Sequence, residues 1–186
     1  MTKGGDVARK AALFFILVLS AFLAFAQDNG GGLIEGDTWG FLISAPDGWT
    51  WDNASLRYQG IQGLFYKAGS TFSPSELHIY ISPSPKKGNV PIMLGDFIAA
   101  DEAAFMRSDP GNRIVDFPPH APGLGYIFSL RDFDDPNEDH YQSIAYYEGE
   151  DAYFVFILFC RSAPERDRER AAFLELLDSF TYVRKE

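Results

Sequence analysis

Cysteine is almost missing from this chain: Cys160 stands alone among 186 residues. No internal disulfide can form, so the fold has to rest on its apolar core. A single thiol in the middle of an apolar run reads as a small hydrophobe and not as a nucleophile. Histidine is scarce as well. His78, His120 and His140 have no metal-ligand spacing between them, which removes the zinc signatures. Basic charge is in short supply, with 16 Lys and Arg against 26 Asp and Glu and a formal net charge of −10. That balance opposes binding to nucleic acid or to anionic membranes and favours cations or basic partners.

Catalytic signatures are absent too. The sequence has no nucleophile elbow, phosphate loop or dinucleotide fingerprint. Ser84-Pro85-Lys86-Lys87 matches Ser-x-x-Lys literally, but that chemistry needs the serine at a helix start. Pro85 lies in a Pro-rich loop and the companion motifs are missing, so the match is coincidental. No internal repeat and no dividing linker occur.

Long hydrophobic runs are confined to the N-terminus. Lys3, Arg9 and Lys10 precede an apolar stretch from Ala11 to Phe25, and Ala24-Phe25-Ala26 fits the small-x-small cleavage rule before Gln27. The stretch is short for a membrane span and has the length of a signal h-region. Residues 1–26 are therefore expected to be a signal peptide, 27–36 a flexible Gly-rich leader, and 37–186 a single α+β domain. The mature chain keeps 160 residues, enough for a sizeable core, and its net charge becomes −12.

The chain from Asp151 to Cys160 organises the rest. Tyr153, Val155, Ile157 and Phe159 alternate with Phe154, Phe156, Leu158 and Cys160, and both sets are apolar. A strand with one buried face alternates apolar with polar, so this one is expected at the centre of a sheet covered on both sides. Upstream, Trp39 to Ile43 reads as a strand, Ala45-Pro46-Asp47-Gly48-Trp49 as a turn, and Trp49-Thr50-Trp51 as the returning arm of a hairpin. A short strand follows near Gly63 to Tyr66, and Leu77, Ile79 and Ile81 mark another. Leu94, Phe97, Ile98, Ala104 and Phe105 share a stripe on a helix over about Ile92 to Arg107, with Asp101 inside the stripe.

Ile114-Val115 starts a short strand stopped by Pro118-Pro119. Gly123 to Leu130, Tyr141 to Glu148 and the central strand then form an antiparallel meander. Ser162-Ala163-Pro164-Glu165 is a capping box that opens a last helix, with Phe173, Leu176, Leu177 and Phe180 on its buried stripe. Arg161, Arg166, Arg168 and Arg170 alternate with Glu165, Asp167 and Glu169 and read as a solvated face. Tyr182-Val183 adds an edge strand.

Gly40 to Trp49 near the start, Tyr153 to Cys160, and Ala172 to Phe180 resemble the PsbP-like fold, a family named for an extrinsic photosystem II subunit that includes many small exported bacterial proteins. The resemblance implies an antiparallel sheet of about six strands flanked by helices, an α/β/α sandwich. It also implies a non-enzymatic role in assembly or binding, and it carries no catalytic residue across.

Two candidate sites stand out. Trp49, Trp51, Tyr58 and Tyr66 cluster at the first hairpin and suit a partner or ligand surface, or else core packing. The acidic loop from Arg131 to His140 carries Asp132, Asp134, Asp135 and Asp139, oxygen ligands that suit Ca2+ or Mn2+. The helix-loop-helix calcium spacing fails there, which favours a solvated hairpin loop. The expectation is an exported, periplasmic or secreted, non-enzymatic accessory or binding module of the cell envelope, acting through protein interaction. Its partner would be an envelope protein or small ligand, with no nucleic acid and no stable membrane span after signal cleavage. Divalent-metal or small-ligand binding through the acidic loop is the alternative. A third is an enzyme whose site is assembled in space, with Asp101 and His78 its first suspects.

Overall fold

The computed structural model describes residues 30–52, 60–74, 76–86 and 93–184. Residues 1–26, expected to be a signal peptide, and Tyr58 and the start of the expected leader lie outside these residues. Among the described residues ten strands and two helices follow in the order β1 (Gly31–Glu35), β2 (Trp39–Ser44), β3 (Trp49–Asp52), β4 (Gly63–Lys67), β5 (His78–Pro85), α1 (Leu94–Ser108), β6 (Arg113–Gly123), β7 (Tyr126–Asp135), β8 (His140–Glu148), β9 (Ala152–Cys160), α2 (Ala163–Asp178) and β10 (Thr181–Arg184). The α+β class holds. The strands make two sheets instead of one of about six: a seven-stranded sheet in the order β3-β4-β5-β9-β8-β7-β6, and a three-stranded sheet β1-β2-β10. Every strand pairing among the described residues is antiparallel.

β9 is the middle strand of the large sheet, as its double apolar set demands. Phe154, Phe156, Leu158 and Cys160 join one core with Phe173, Leu176 and Leu177 of α2 and with Phe41 and Ile43 of the small sheet. Val155 and Ile157 join a smaller core with Ile98 of α1, Phe133, Ile144 and Tyr146. The two helices therefore lie on opposite faces of the seven-stranded sheet, α2 sharing its face with the three-stranded sheet. Phe41, Phe128, Phe154, Phe156 and Phe180 pack ring against ring at centroid separations of 5.3–6.5 Å, mostly edge to face, the arrangement aromatic quadrupoles prefer.

Three local expectations are corrected. β2 and β3 are not arms of one hairpin: β2 pairs with β1 and β10, and β3 pairs with β4. The turn between them, closed by Trp49 N donating to Pro46 O with Gly48 at φ 74°, carries the chain from the small sheet to the large one. The leader is not flexible throughout, since Gly31–Glu35 pairs with β2 and Ile34 is fully buried. β6 is long, and Pro118 and Pro119 do not stop it. It is an edge strand, where a missing N–H breaks no ladder, and its register shifts between Phe117 and His120 absorb the prolines.

α2 begins as its sequence dictates. Ser162 Oγ accepts from Glu165 N at 3.3 Å, and the Glu165 carboxylate reaches back to Arg161 N at 2.9 Å. Among the described residues no helix is long and apolar enough to cross a membrane.

Candidate functional site

α1 covers only part of its face. Its position is set by contacts with the β7 and β8 side: Phe105 meets Phe133 at 4.9 Å between centroids, Arg131 Nε binds Glu102 Oε1 at 2.8 Å, and Tyr146 Oη donates to Asp101 Oδ2 at 2.5 Å. Phe97 stacks on Tyr153 at 4.6 Å. On the other flank of the helix, β5 presents Tyr80, Ser82 and Ser84 at alternate positions, paired in register with Ile157, Val155 and Tyr153 of β9. Serines at pleat positions that a Leu or Phe would fill leave space. A groove of about 480 Å³ results. Tyr80, Ser82, Ser84, Val155 and Ile157 line its sheet side, and Phe97, Ala100, Asp101 and Ala104 line its helix side. Concave, largely apolar sites with a few convergent polar groups are where small ligands bind.

Among the described residues Asp101 carries the only formal charge in that lining. The helical periodicity sets it on the apolar stripe of α1, and its carboxylate reaches the stripe's edge. The residue is exposed at the groove wall, and one carboxylate oxygen is fixed by the fully buried Tyr146. Burial, and then the hydrogen bond and charge of Asp101, push the Tyr146 phenol well above its ordinary range. Burial and the Asp101 charge push Tyr80 up to about 12. Both phenols are neutral hydroxyls at any physiological pH. His78, the other residue singled out beside Asp101, lies on the same face beyond Tyr80. Its ring stacks on Tyr80 and Phe159 at 5.6 and 5.0 Å, and Nδ1–H donates to Glu76 O at 2.6 Å. Burial first, and His140 in addition, hold it below its usual pKa, against the backbone bond that raises it. It is a packed, hydrogen-bonded histidine, and the groove lining does not include it.

Trp49 belongs to the core and Trp51 packs against it. Trp49 is 4 % exposed and lies under Lys67, whose Nζ is 4.4 Å from the ring centroid. Trp51 is half-buried against the same core, and Tyr66 is half-buried beside Phe72. An exposed aromatic surface at this hairpin is therefore corrected for these three residues. The hydrophobic payload of the rings is used between the sheets, where aromatic area is most stabilising.

The acidic loop is corrected as well. β7 runs through Asp135 and β8 opens at His140, so only residues 136–139 form the turn. Asp132 is 1 % exposed and accepts from Ser143 Oγ at 2.7 Å and Arg170 Nη2 at 2.5 Å, with Arg166 Nε at 3.1 Å. Asp134 pairs with Arg166. Asp135 accepts from the backbone N–H groups of Asn137 and Glu138, and Asp139 takes a left-handed φ of 50° in the turn. The four carboxylates do not converge, and among the described residues no group of His, Cys, Asp and Glu is arranged to hold a metal ion.

Nor is the arginine face of α2 solvated throughout: Arg166 is 6 % exposed. The missed signal was spacing. Residues i and i+4 on a helix are about 6 Å apart along its axis, and i and i+2 on a strand about 6.6 Å, so Arg166/Arg170 can face Asp132/Asp134 across the interface. Cys160 is buried, and burial together with Glu165 and Glu169 pushes its thiol up to about 12, so it stays protonated.

No protein-family model matches this sequence, and no curated protein matches it. Among solved structures the chain is similar to the solution structure of cyanobacterial PsbP (CyanoP) from Synechocystis sp. PCC 6803. The identity is 12 %, the similarity covers 78 % of this chain and 87 % of that one, and the TM-score is 0.49.

Proposed function

We propose that this protein is an exported, non-enzymatic binding module, periplasmic or secreted, with a PsbP-type α/β/α sandwich as its scaffold and the groove beside α1 as its binding site. One observation carries the reading: a groove of about 480 Å³, apolar on floor and wall, into which Ser82, Ser84, Tyr80 and Asp101 bring their polar groups. Of the two surfaces favoured by the sequence, Trp49 and Trp51 pack in or against the core and Asp132 and Asp134 are held by arginines. The small-ligand alternative thus gains, with the groove in place of the acidic loop as its site. The export limb rests on residues 1–26, their basic start, apolar run and Ala-Phe-Ala end.

A protein-interaction reading keeps one structural support. At the β6–β7 end, Leu124 and Ile127 are 85 % and 60 % exposed, and Leu124 is held at φ 54°. Exposed apolar side chains on a hairpin tip suit a partner surface.

The test is an amide-resolved NMR titration of the protein with hexylammonium, hexan-1-ol and hexanoate in turn. At least one probe is expected to move the resonances of Ala100, Ala104, Val155 and Ile157 together while leaving α2 unmoved. No perturbation there by any of the three overturns the groove as a ligand site and returns the β6–β7 tip to first place.

A further inference from the structure

We infer that the groove selects a monovalent organic cation, an ammonium head on a short apolar body. This rests on the ligand-binding reading above and narrows it. Charge supplies the first argument. Among the described residues Asp101 is the only charged one in the lining, and Tyr146 holds Oδ2 while leaving Oδ1 for a ligand. A carboxylate orientated by a buried hydroxyl is a preformed acceptor for an N–H donor, and charge-assisted hydrogen bonds are about twice as strong as neutral ones.

Among the described residues no basic side chain is paired with it. Arg131, the basic residue on the neighbouring strand, is engaged by Glu102 and Asp116 at 2.8 Å each. Lys86, at the end of β5, binds Glu148 at 2.7 Å. With one carboxylate and neutral phenols, the site lacks the several anionic oxygens that a divalent metal demands.

The lining supplies the second argument. Tyr80 and Phe97 bring aromatic rings beside the carboxylate, the combination that recognises ammonium ions through the ring quadrupole. The same chemistry is already used at the groove's edge, where Lys86 Nζ lies 4.9 Å from the centroid of Tyr153, the ring on which Phe97 stacks. Val155, Ile157, Ala100 and Ala104 give the apolar body its surface, and Ser82 and Ser84 offer acceptors to any remaining N–H. An anionic ligand would meet Asp101 head-on within a protein of net charge −10, whereas a cation is steered inward.

The experiment uses the same three probes, which share a chain length and differ in head-group charge. Hexylammonium is expected to bind at least about tenfold more tightly than hexan-1-ol or hexanoate. Asp101→Asn keeps a hydrogen-bond acceptor for Tyr146 and should bring hexylammonium down to the level of hexan-1-ol without changing hexan-1-ol itself. Asp101→Glu should retain the preference, and Ala104→Trp, which fills the groove, should abolish binding of all three. If hexan-1-ol binds as tightly as hexylammonium, or if Asp101→Asn leaves the preference intact, the cation inference falls while the groove stands as a binding site. If no probe binds, both fall.

Discussion

The two faces of the seven-stranded sheet are made by the same strands and differ in how completely they are covered. On the α2 face, β9 contributes Phe154, Phe156, Leu158 and Cys160, each fully buried, under a helix, a second sheet and a continuous set of rings. On the α1 face it contributes Val155 and Ile157, each close to a tenth exposed, at the edge of a groove. The closed face invests its aromatic area in stability. The open face stops short of full coverage because β5 sets Ser82 and Ser84 where bulk would close it. A fold that needed only stability would fill those two positions. The groove is where the sequence departs from that rule, and such departures mark functional surfaces.

Substitutions on adjacent residues of β9 test this contrast most directly. Phe156 touches Phe41, Phe128 and Phe180, all buried. Phe156→Ala should cost about 3–5 kcal/mol, because the cavity it leaves is walled by rings already in contact. Ile157→Ala, one residue on and facing α1, should fall at the low end of its class, about 2 kcal/mol, since the site opens to solvent and can relax. Equilibrium unfolding in urea gives both values. Equal losses would mean that the α1 face is packed as tightly as the other.

The ion pairs at the α2 interface probe the closed face from a different side. Asp132 is enclosed by Ser143, Arg166 and Arg170, and Arg166 is itself buried. Burial alone would lower the Arg170 pKa, and the hydrogen bond and charge of Asp132 outweigh it, so Arg170 stays raised. Asp132→Asn leaves two guanidinium groups without their central anion. The expected loss is about 3 kcal/mol, the lower end for breaking a buried pair, because Asp134 still holds Arg166. The same carboxylate change on the open face, Asp101→Asn, should cost less than about 1 kcal/mol, since Asp101 is exposed and its hydrogen bond to Tyr146 survives. Thermal melts of the two variants side by side check the asymmetry, and a destabilisation by Asp101→Asn as large as that by Asp132→Asn would refute it.

How far all this could be read beforehand depends on sequence distance. The two-faced burial of β9, the α2 capping box, the meander from β7 to β9 and the α1 stripe are local patterns, and each was legible from spacing alone. The membership of β2 and β3 in different sheets was not, because it is decided by β10 and by bonds such as Ser44 N to Ser179 Oγ, 135 residues apart. Nor was the place of Trp49 after a link between two sheets: a Pro-Asp-Gly turn looks the same whether it closes a hairpin or links two sheets. The carboxylates of β7 looked solvated for a similar reason, as their arginine partners lie 32 to 38 residues further along. Asp101 was flagged correctly as unusual on its helix. Its partner Tyr146 and the serines that shape its groove come from strands whose order in the sheet no local pattern gives.

The smallest effect in the series is one of pH, and it belongs to the open face. His78 is held below its ordinary pKa, first by burial and then by His140, and His140 is itself lowered by burial, against the opposing charges of Asp135 and Glu138. A histidine depressed in the folded state refuses a proton that the unfolded chain accepts near pH 6.5, so stability rises with pH through that window. On acidification the protein should begin to lose stability as pH falls through about 6.5, and the loss should level off once the folded-state pKa is passed. His78→Phe keeps a ring against Phe72, Tyr80 and Phe159, and it should flatten the His78 share of the slope while leaving the melting temperature near pH 8 little changed. Melting temperatures at intervals between about pH 8 and pH 5 for the two proteins provide the comparison. Superimposable profiles would mean that this end of the face is already solvated when folded. A flattened one would show that the sheet beside the groove is sealed at His78 and open only where Ser82 and Ser84 make it so.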